Sequence, residues 1–305
     1  MNVTITPRLL QGTITPPPSK SQAHRVLIAA ALAEGVSMLK NVALSQDIQA
    51  TLRCLEALGA SFRWEGDTLA VTGLAGKPVP QGELPLLDCG ESGSTLRFLI
   101  PIALAVLGGG RFTGHGRLME RPQGPYFELF REKGIYFDQK DGVLTISGRL
   151  EPGTFSLPGN VSSQFITGLL YALPLLPGDS EILLTTSLES RGYVDMTLDV
   201  LEQFGVRVEN RDYARFRVPG GQSFQARDLT VEADWSNAAF WYEAVSLGCQ
   251  LDIQGLNAYS VQGDMRIVPC FLKLQGRDPL DLDVSQCPDL VPPLAAMAAL
   301  RGEGL

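Results

Sequence analysis

Pro18-Ser19-Lys20-Ser21-Gln22-Ala23-His24-Arg25, running straight into the apolar stretch VLIAAALAEG, sets a lysine, hydroxyls and an arginine at the start of a helix. Free backbone N–H groups and the helix dipole favour an anion at such an end. Taken alone, the segment also reads as a serine cap on a surface helix with solvated cations. Recurrence decides between the two readings. Ser- and Gly-rich helix starts return at Ser92 (CGESGSTLRFLIPIALAVL), at Ser162 (VSSQFITGLLYALPLL) and, more loosely, at Ser236 (ADWSNAAFWYEAVSLG), so that the starts counted from Ser21 lie 71, 70 and 74 residues apart. Each is followed by a second amphipathic helix expected to close on a glycine and a short strand: LRCLEALGASFRW at Gly59, FELFREKGIYF at Gly134, LDVLEQFGVRVEN at Gly205 and FLKLQGRDP at Gly276. Those glycines are 75, 71 and 71 residues apart. Two independent features share one period, and an N-terminal cap with a left-handed glycine stop explains both.

Short alternating strands such as TLAVTG, VLTISG, EILLTT and ARFRVPG lie between the helices. Each unit therefore reads as strand, helix, strand, helix and hairpin, which gives an α/β (α+β) chain of repeated β-α-β-α-β-β units. Such a unit buries only one face of a small sheet, so about three must gather to close a core. The first helices (VLIAAALA, FLIPIALAVL, FITGLLYALPLL) are apolar all round and should be buried, whereas the second helices carry Glu, Arg and Lys on one face and should lie outside. If the buried helices run parallel, their N-termini emerge on one surface as a concentrated anion site. Three periods fit between Lys20 and Val231. Residues 19–231 are accordingly expected as one three-unit globule, with residues 1–18, including the orphan strand MNVTITP, joining residues 232–305 in a second domain.

Composition is that of an ordinary globular chain, with 305 residues, 45% hydrophobic and 19% charged. Net charge of −8 argues against a nucleic-acid partner. Local fields rather than net charge bind small anions, and Lys20, Arg25, Arg97, Arg121 and Arg191 all sit beside helix starts. Arg121 precedes Pro122, a residue suited to the first turn of a following helix. Cys54, Cys89, Cys249, Cys270 and Cys287 show no paired C-x-x-C spacing, so neither zinc nor a disulfide framework is indicated and buried thiols are expected. MNVTITPRLLQ lacks an apolar signal core and no run approaches membrane-spanning length, so a cytoplasmic protein without membrane contact is expected.

The segments SKSQAHR, CGESGSTLR, RLMERP, SSQF, SRGYVD, QGD and CPD, in this order across nearly the whole chain, resemble the 5-enolpyruvylshikimate-3-phosphate synthase family. The resemblance implies a two-domain inverted α/β barrel-like fold, three β-α-β-α-β-β units per domain around buried parallel helices. It also implies transfer of the enolpyruvyl group of phosphoenolpyruvate to the 5-hydroxyl of shikimate 3-phosphate, with release of phosphate, in the shikimate pathway. Neither a metal nor an organic cofactor is implied, and a monomer acting on those two small molecules is expected.

Position by position, Lys20 resembles the family's lysine that touches both substrates, and Ser21 and Arg25 resemble shikimate 3-phosphate ligands. Ser162, Ser163 and Gln164 match further phosphoshikimate contacts, Gln164 also lying near phosphoenolpyruvate, and Ser190 matches another phosphate hydroxyl. Gly93 matches the glycine that leaves room for phosphoenolpyruvate, and Arg121 a cation that grips it; Tyr193 and Arg97 match more loosely. Asp289 in CPDLVPP matches the carboxylate that takes the proton from the 5-hydroxyl, with Lys20 as acid/base partner or electrostatic stabiliser. From the residues alone, Asp289 reads equally as a cap before LVPPLAAMAAL.

Two departures bear on these roles. Glu91 stands in the CGESGS loop where many members have Asn, and it is kept off the ligand set. The family also continues for more than a hundred residues past Leu305, so residues 1–305 by themselves are expected to bind phosphoshikimate but turn over poorly. The alternatives are a non-catalytic sugar-phosphate-binding fragment, one segment of a longer polypeptide, and UDP-N-acetylglucosamine enolpyruvyl transferase. The last commonly carries a cysteine in the loop corresponding to Gly110–Arg121, which has none here.

Overall fold

The computed structural model describes residues 4 and 6 and residues 8–75, 82–276 and 279–299. The chain divides into two compact units, one of residues 20–231 and one of residues 1–19 with 232–305. Strand β1 (Gln11–Ile14) belongs to the second of these.

The 20–231 unit runs through α1 (Lys20–Leu32), β2 (Val36–Lys40), α2 (Gln46–Ala57), β3 (Ser61–Glu65) and β4 (Thr68–Thr72). It continues with β5 (Leu86–Asp88), α3 (Gly93–Leu107), β6 (Gly109–Thr113), α4 (Gly124–Lys133), β7 (Tyr136–Lys140) and β8 (Val143–Ser147). Then follow β9 (Thr154–Leu157), α5 (Ser163–Ala172), β10 (Ser180–Leu184), α6 (Arg191–Gln203), β11 (Glu209–Arg211), β12 (Arg215–Val218) and β13 (Leu229–Thr230). The strands form three four-stranded sheets, β5-β6-β8-β7, β9-β10-β12-β11 and β13-β2-β4-β3. In each sheet the first pair is parallel and the other two pairs are antiparallel. The β-α-β-α-β-β unit is therefore present three times. In the third sheet the strand that should precede α1 comes from the far end of the unit, where Leu229 pairs with Leu39.

Apolar residues on every face put the first helices inside. Every residue of α1 from Gln22 to Leu32 is buried, as is every residue of α5 but Gln164, whereas α2, α4 and α6 each keep a solvent face. Helices α3 and α5 approach closely because Gly168 has no side chain: a Cβ there would lie 2.6 Å from the Arg97 carbonyl oxygen and 2.9 Å from Pro101 Cγ. Pro101 has no N–H to give that carbonyl. The buried Tyr126 hydroxyl donates to it instead, at 2.9 Å.

The expected caps hold for two of the repeated helices. Ser92 accepts from the Thr95 N–H at 3.1 Å and Ser162 from the Gln164 N–H at 3.3 Å. Left-handed or otherwise positive-φ glycines stop the second helices at Gly59, Gly134 and Gly205. Two local expectations shift by a few residues. Helix α4 starts at Gly124, so the proline of its first turn is Pro125 and not Pro122, and Arg121 ends a one-turn 3-10 helix, Leu118–Glu120.

In the other unit β1 pairs in parallel with β14 (Gln250–Ile253), in register from Gln11 with Gln250. Helix α7 (Trp235–Ser246) leads into β14, so residues 20–231 are inserted between the first strand and first helix of a fourth repeat. Backbone bonds from Ser19 N to Glu232 O (2.7 Å) and from Asp234 N to Pro17 O (2.9 Å) tie the two segments together. The orphan strand expected at MNVTITP falls largely outside the described residues, which exclude residues 1–3, 5 and 7, and β1 is described at Gln11–Ile14. Asp234 caps α7, taking the Ser236 N–H at 2.8 Å, so Ser236 lies in the first turn rather than at the cap. Helices α8 (Ile267–Leu274) and α9 (Val291–Ala299) pack with α7 around Trp235, Ala239, Ile267, Leu290 and Leu294. Helix α8 ends in right-handed geometry at Gln275, Gly276 takes no positive φ, and no strand follows among the described residues. Cys54, Cys89 and Cys287 are buried free thiols, whereas Cys249 and Cys270 are only half-buried. No helix among the described residues is long and apolar enough to cross a membrane.

Candidate active site

Within the 20–231 unit the starts of α3 and α5 and the loop before α4 meet through named contacts. A Cβ on Gly93 would sit 2.8 Å from Arg121 Nη1 and 3.7 Å from Gln164 Oε1, so it is the bare glycine that lets a guanidinium and an amide come close over the start of α3. The Gln164 amide is fixed at both ends, its Oε1 accepting from Arg97 Nη1 at 2.8 Å and its Nε2 donating to Ser94 Oγ at 3.0 Å. Arg97 Nη2 donates to the Pro122 carbonyl at 3.2 Å, and the guanidinium lies 4.8 Å over the Phe165 ring. Burial lowers the Arg97 pKa and neighbouring Arg121 lowers it further, so two like charges are held close together. Arg97 Nε is buried with no hydrogen-bond partner. The loosest of the sequence matches is thus one of the best-anchored cations.

A second group gathers at the starts of α1 and α6. Arg25 is 3% exposed. Its Nε donates to Thr197 Oγ1 at 2.9 Å, its Nη1 to the Ser21 carbonyl at 2.7 Å and its Nη2 to the Tyr193 carbonyl at 2.8 Å. All three acceptors are uncharged, and desolvation brings its pKa down to about 10. A buried cation whose protein partners are all neutral retains electrostatic attraction for an anion. Ser190 begins α6 in left-handed geometry (φ 57°) and its hydroxyl makes no cap bond. Lys20, half exposed, pairs with Asp47 Oδ2 at 2.9 Å, a partner the sequence reading missed although Asp47 stands in the first turn of α2. Ser163 is buried at the start of α5. Buried hydroxyls link the helices behind the site, Thr167 Oγ1 of α5 lying 2.9 Å from Thr197 Oγ1 of α6.

Glu91 lies against Gly116, where an added Cβ would come within 3.0 Å of the Glu91 Cδ. The carboxylate thus faces the 114–117 loop. Asp289 belongs to the other unit, exposed within a one-turn 3-10 helix (Pro288–Leu290) immediately ahead of α9. No cluster of three His, Cys, Asp or Glu side chains suited to a metal occurs among the described residues.

A family model described as EPSP synthase (3-phosphoshikimate 1-carboxyvinyltransferase) matches residues 5–278. The chain belongs to the EPSP synthase family. Curated relatives named 3-phosphoshikimate 1-carboxyvinyltransferase include proteins of Clostridium novyi, 43% identical over 98% of this chain and 74% of theirs, and of Clostridioides difficile, 41% identical over 97% and 73%. Two solved EPSP synthases of Acinetobacter baumannii share the fold, each with a TM-score of 0.70 at 21% and 22% identity. This chain spans 59% and 60% of those two chains. The EPSP synthase family catalyses enolpyruvyl transfer in the shikimate pathway, and its two-domain inverted α/β fold is the one these units follow.

Proposed function

We propose that this chain takes shikimate 3-phosphate and phosphoenolpyruvate as substrates and transfers the enolpyruvyl group to the 5-hydroxyl, as a cytoplasmic monomer without metal or organic cofactor. The observation that carries the reading is a pair of cations with neutral partners, Arg25 at one position and Arg97 at the other, the second with the Arg121 guanidinium close to Gly93. Two substrates that each carry a phosphate call for two such positions. Ser21, Arg25, Ser162, Ser163, Gln164 and Ser190 would hold shikimate 3-phosphate on the 19–231 side. Lys20, Gly93, Arg121 and Gln164 would receive phosphoenolpyruvate. Fixed guanidinium donors suit phosphate oxygens, because they cost little reorganisation when charge develops.

In this reading the 5-hydroxyl oxygen adds to C2 of phosphoenolpyruvate while its proton passes to Asp289, and C3 gains a proton to give a tetrahedral ketal. Loss of a C3 proton then expels phosphate and leaves the enol ether. Lys20 serves as acid/base partner or stabilises the charged centres. The test is phosphate release from the two substrates together, beside calorimetry with shikimate 3-phosphate alone. Phosphate release that depends on both substrates, however slow, is expected. Binding without turnover would assign the chain a sugar-phosphate-binding role, and no binding would sink the reading.

A further inference from the structure

Behind the start of α3 a chain of short hydrogen bonds crosses three helices. His24 Nδ1 of α1 lies 2.8 Å from Thr51 Oγ1 of α2, which lies 2.7 Å from Thr95 Oγ1 of α3. Thr95 Oγ1 donates to Ser92 Oγ at 2.8 Å, and the same Ser92 oxygen accepts the Thr95 backbone N–H at 3.1 Å. All four residues are buried, His24 at 1% and Ser92 at 2% exposure.

Counting protons fixes the direction of this chain. A hydroxyl has one proton and two acceptor sites, and a neutral imidazole has one N–H and one bare nitrogen. Thr95 Oγ1 has two acceptors in reach, Ser92 Oγ at 2.8 Å and the Asp47 carbonyl at 3.5 Å, and its one proton goes to the nearer; with either acceptor that proton is spent, so the proton between Thr51 and Thr95 must be that of Thr51. With that proton committed, Thr51 can only accept from His24, so Nδ1 carries the imidazole hydrogen and Nε2 is bare. An independent observation agrees: Nε2 is buried with no hydrogen-bond partner, and a buried orphan N–H is rarer than a buried orphan acceptor. Burial also keeps the ring neutral, with a pKa lowered to about 3. At the other end, both acceptor sites of Ser92 Oγ are filled. Its own proton therefore has no acceptor within the chain of bonds that ends on it, and the next residue, Gly93, is the one whose Cβ position faces the Arg121 guanidinium.

We propose that His24 is a positioning residue: as the fixed donor of a one-way chain, His24 to Thr51 to Thr95 to Ser92, it commits the Ser92 hydroxyl proton to an oxyanion bound at the start of α3. The ligand class is a phosphate or carboxylate, and in the proposed function it is that of phosphoenolpyruvate, a reading on which this inference rests. The residue acts through Ser92 and does not touch the ligand. Without its donor, Thr51 can turn its proton toward the vacated site, and the chain loses its single direction.

The first measurement is nitrogen NMR of 15N-histidine-labelled protein. The chain has two histidines, so a His115→Gln sample assigns the spectrum. A pyrrole-type signal at His24 Nδ1 and a pyridine-type signal at Nε2 are expected, and the opposite tautomer overturns the proposal. The second is titration of phosphoenolpyruvate onto protein saturated with shikimate 3-phosphate. His24→Leu should weaken binding about threefold and Ser92→Ala about tenfold, while His24→Asn, which keeps a donor where Nδ1 stood, should restore most of the affinity. A His24→Leu variant with wild-type affinity, or no rescue by Asn, sinks the inference while leaving the proposed function intact. Wild-type protein that binds neither ligand sinks the proposed function, and with it this use of the chain.

Discussion

Helices α1 and α7 open the same repeat with similar apolar runs, AHRVLIAAALA and SNAAFWYEAVS, yet they finish in different surroundings. Every residue of α1 from Gln22 to Leu32 is buried, whereas α7 buries only Trp235, Ala238 and Ala239 and leaves Phe240 51% exposed. Three four-stranded sheets and their helices enclose α1, while α7 has a two-stranded sheet and two helices in its own unit. Apolarity makes a helix fit to be buried, but the number of units gathered around it decides whether it is. The comparison is most directly broken by truncation. Leu27→Ala in α1 should cost about 2–5 kcal/mol in urea unfolding, because the site is walled on all sides and cannot collapse. Phe240→Ala should stay within about 0.5 kcal/mol. Equal costs would mean that α7 is as enclosed as α1.

The same contrast separates the two ends of the candidate site. Arg25 is buried and engaged by three neutral oxygens, whereas Lys20, five residues earlier, is half exposed and paired with Asp47. Arg25→Ala should therefore weaken shikimate 3-phosphate binding by about 2–4 kcal/mol in calorimetry, since it removes a desolvated partner of the phosphate. Lys20→Met is expected to lose less binding than turnover. An unchanged dissociation constant in Arg25→Ala would take that residue out of the site.

Burial also gives His24 a pH signature. The folded pKa is lowered from 6.5 to about 3, chiefly by desolvation, with Lys20 and Arg25 lowering it and Asp47 raising it. Between those values the unfolded chain holds a proton that the folded chain does not. Stability must then fall as pH falls through 6.5 and go on falling toward 3, by up to about 1.4 kcal/mol per pH unit. Urea midpoints at pH 7, 6 and 5 should show a shallower decline in His24→Leu than in wild type. Parallel declines would mean that the ring titrates normally.

What could be read from sequence follows the same division. The repeat was legible because glycine stops and serine caps are local chemistry, so Gly59, Gly134, Gly205, Ser92 and Ser162 all act within one turn of their own residues. Where a neighbour could substitute, the reading slipped: Asp234 displaced Ser236 as a cap, and Pro125 displaced Pro122. The site cations were legible as types beside helix starts. Their anchoring was not, because the Tyr193 carbonyl that holds Arg25 is 168 residues away and the Gln164 that holds Arg97 is 67. The strand that completes the sheet of α1 likewise comes from Leu229, beyond the reach of any local pattern.

The smallest expected effect bears on the close approach at Gly93. An alanine there would place its Cβ 2.8 Å from Arg121 Nη1, too close for both to stay, and 3.7 Å from Gln164 Oε1, an ordinary contact. The atom that must yield is the far end of a flexible arginine, and Gly93 has no positive φ to strain. Gly93→Ala should therefore fold with stability within about 0.5 kcal/mol of wild type. Its cost should appear in function, because the methyl group occupies the space proposed for phosphoenolpyruvate and displaces the guanidinium meant to grip it. A rise in KM for phosphoenolpyruvate of about tenfold, with shikimate 3-phosphate affinity unchanged, is the expected outcome, one hydrogen bond to a charged group being worth about that much. Equal losses for both substrates would show that the Arg121 guanidinium serves the two anions together. Wild-type kinetics would place the enolpyruvyl donor elsewhere and leave Gly93 as a packing residue at the start of α3.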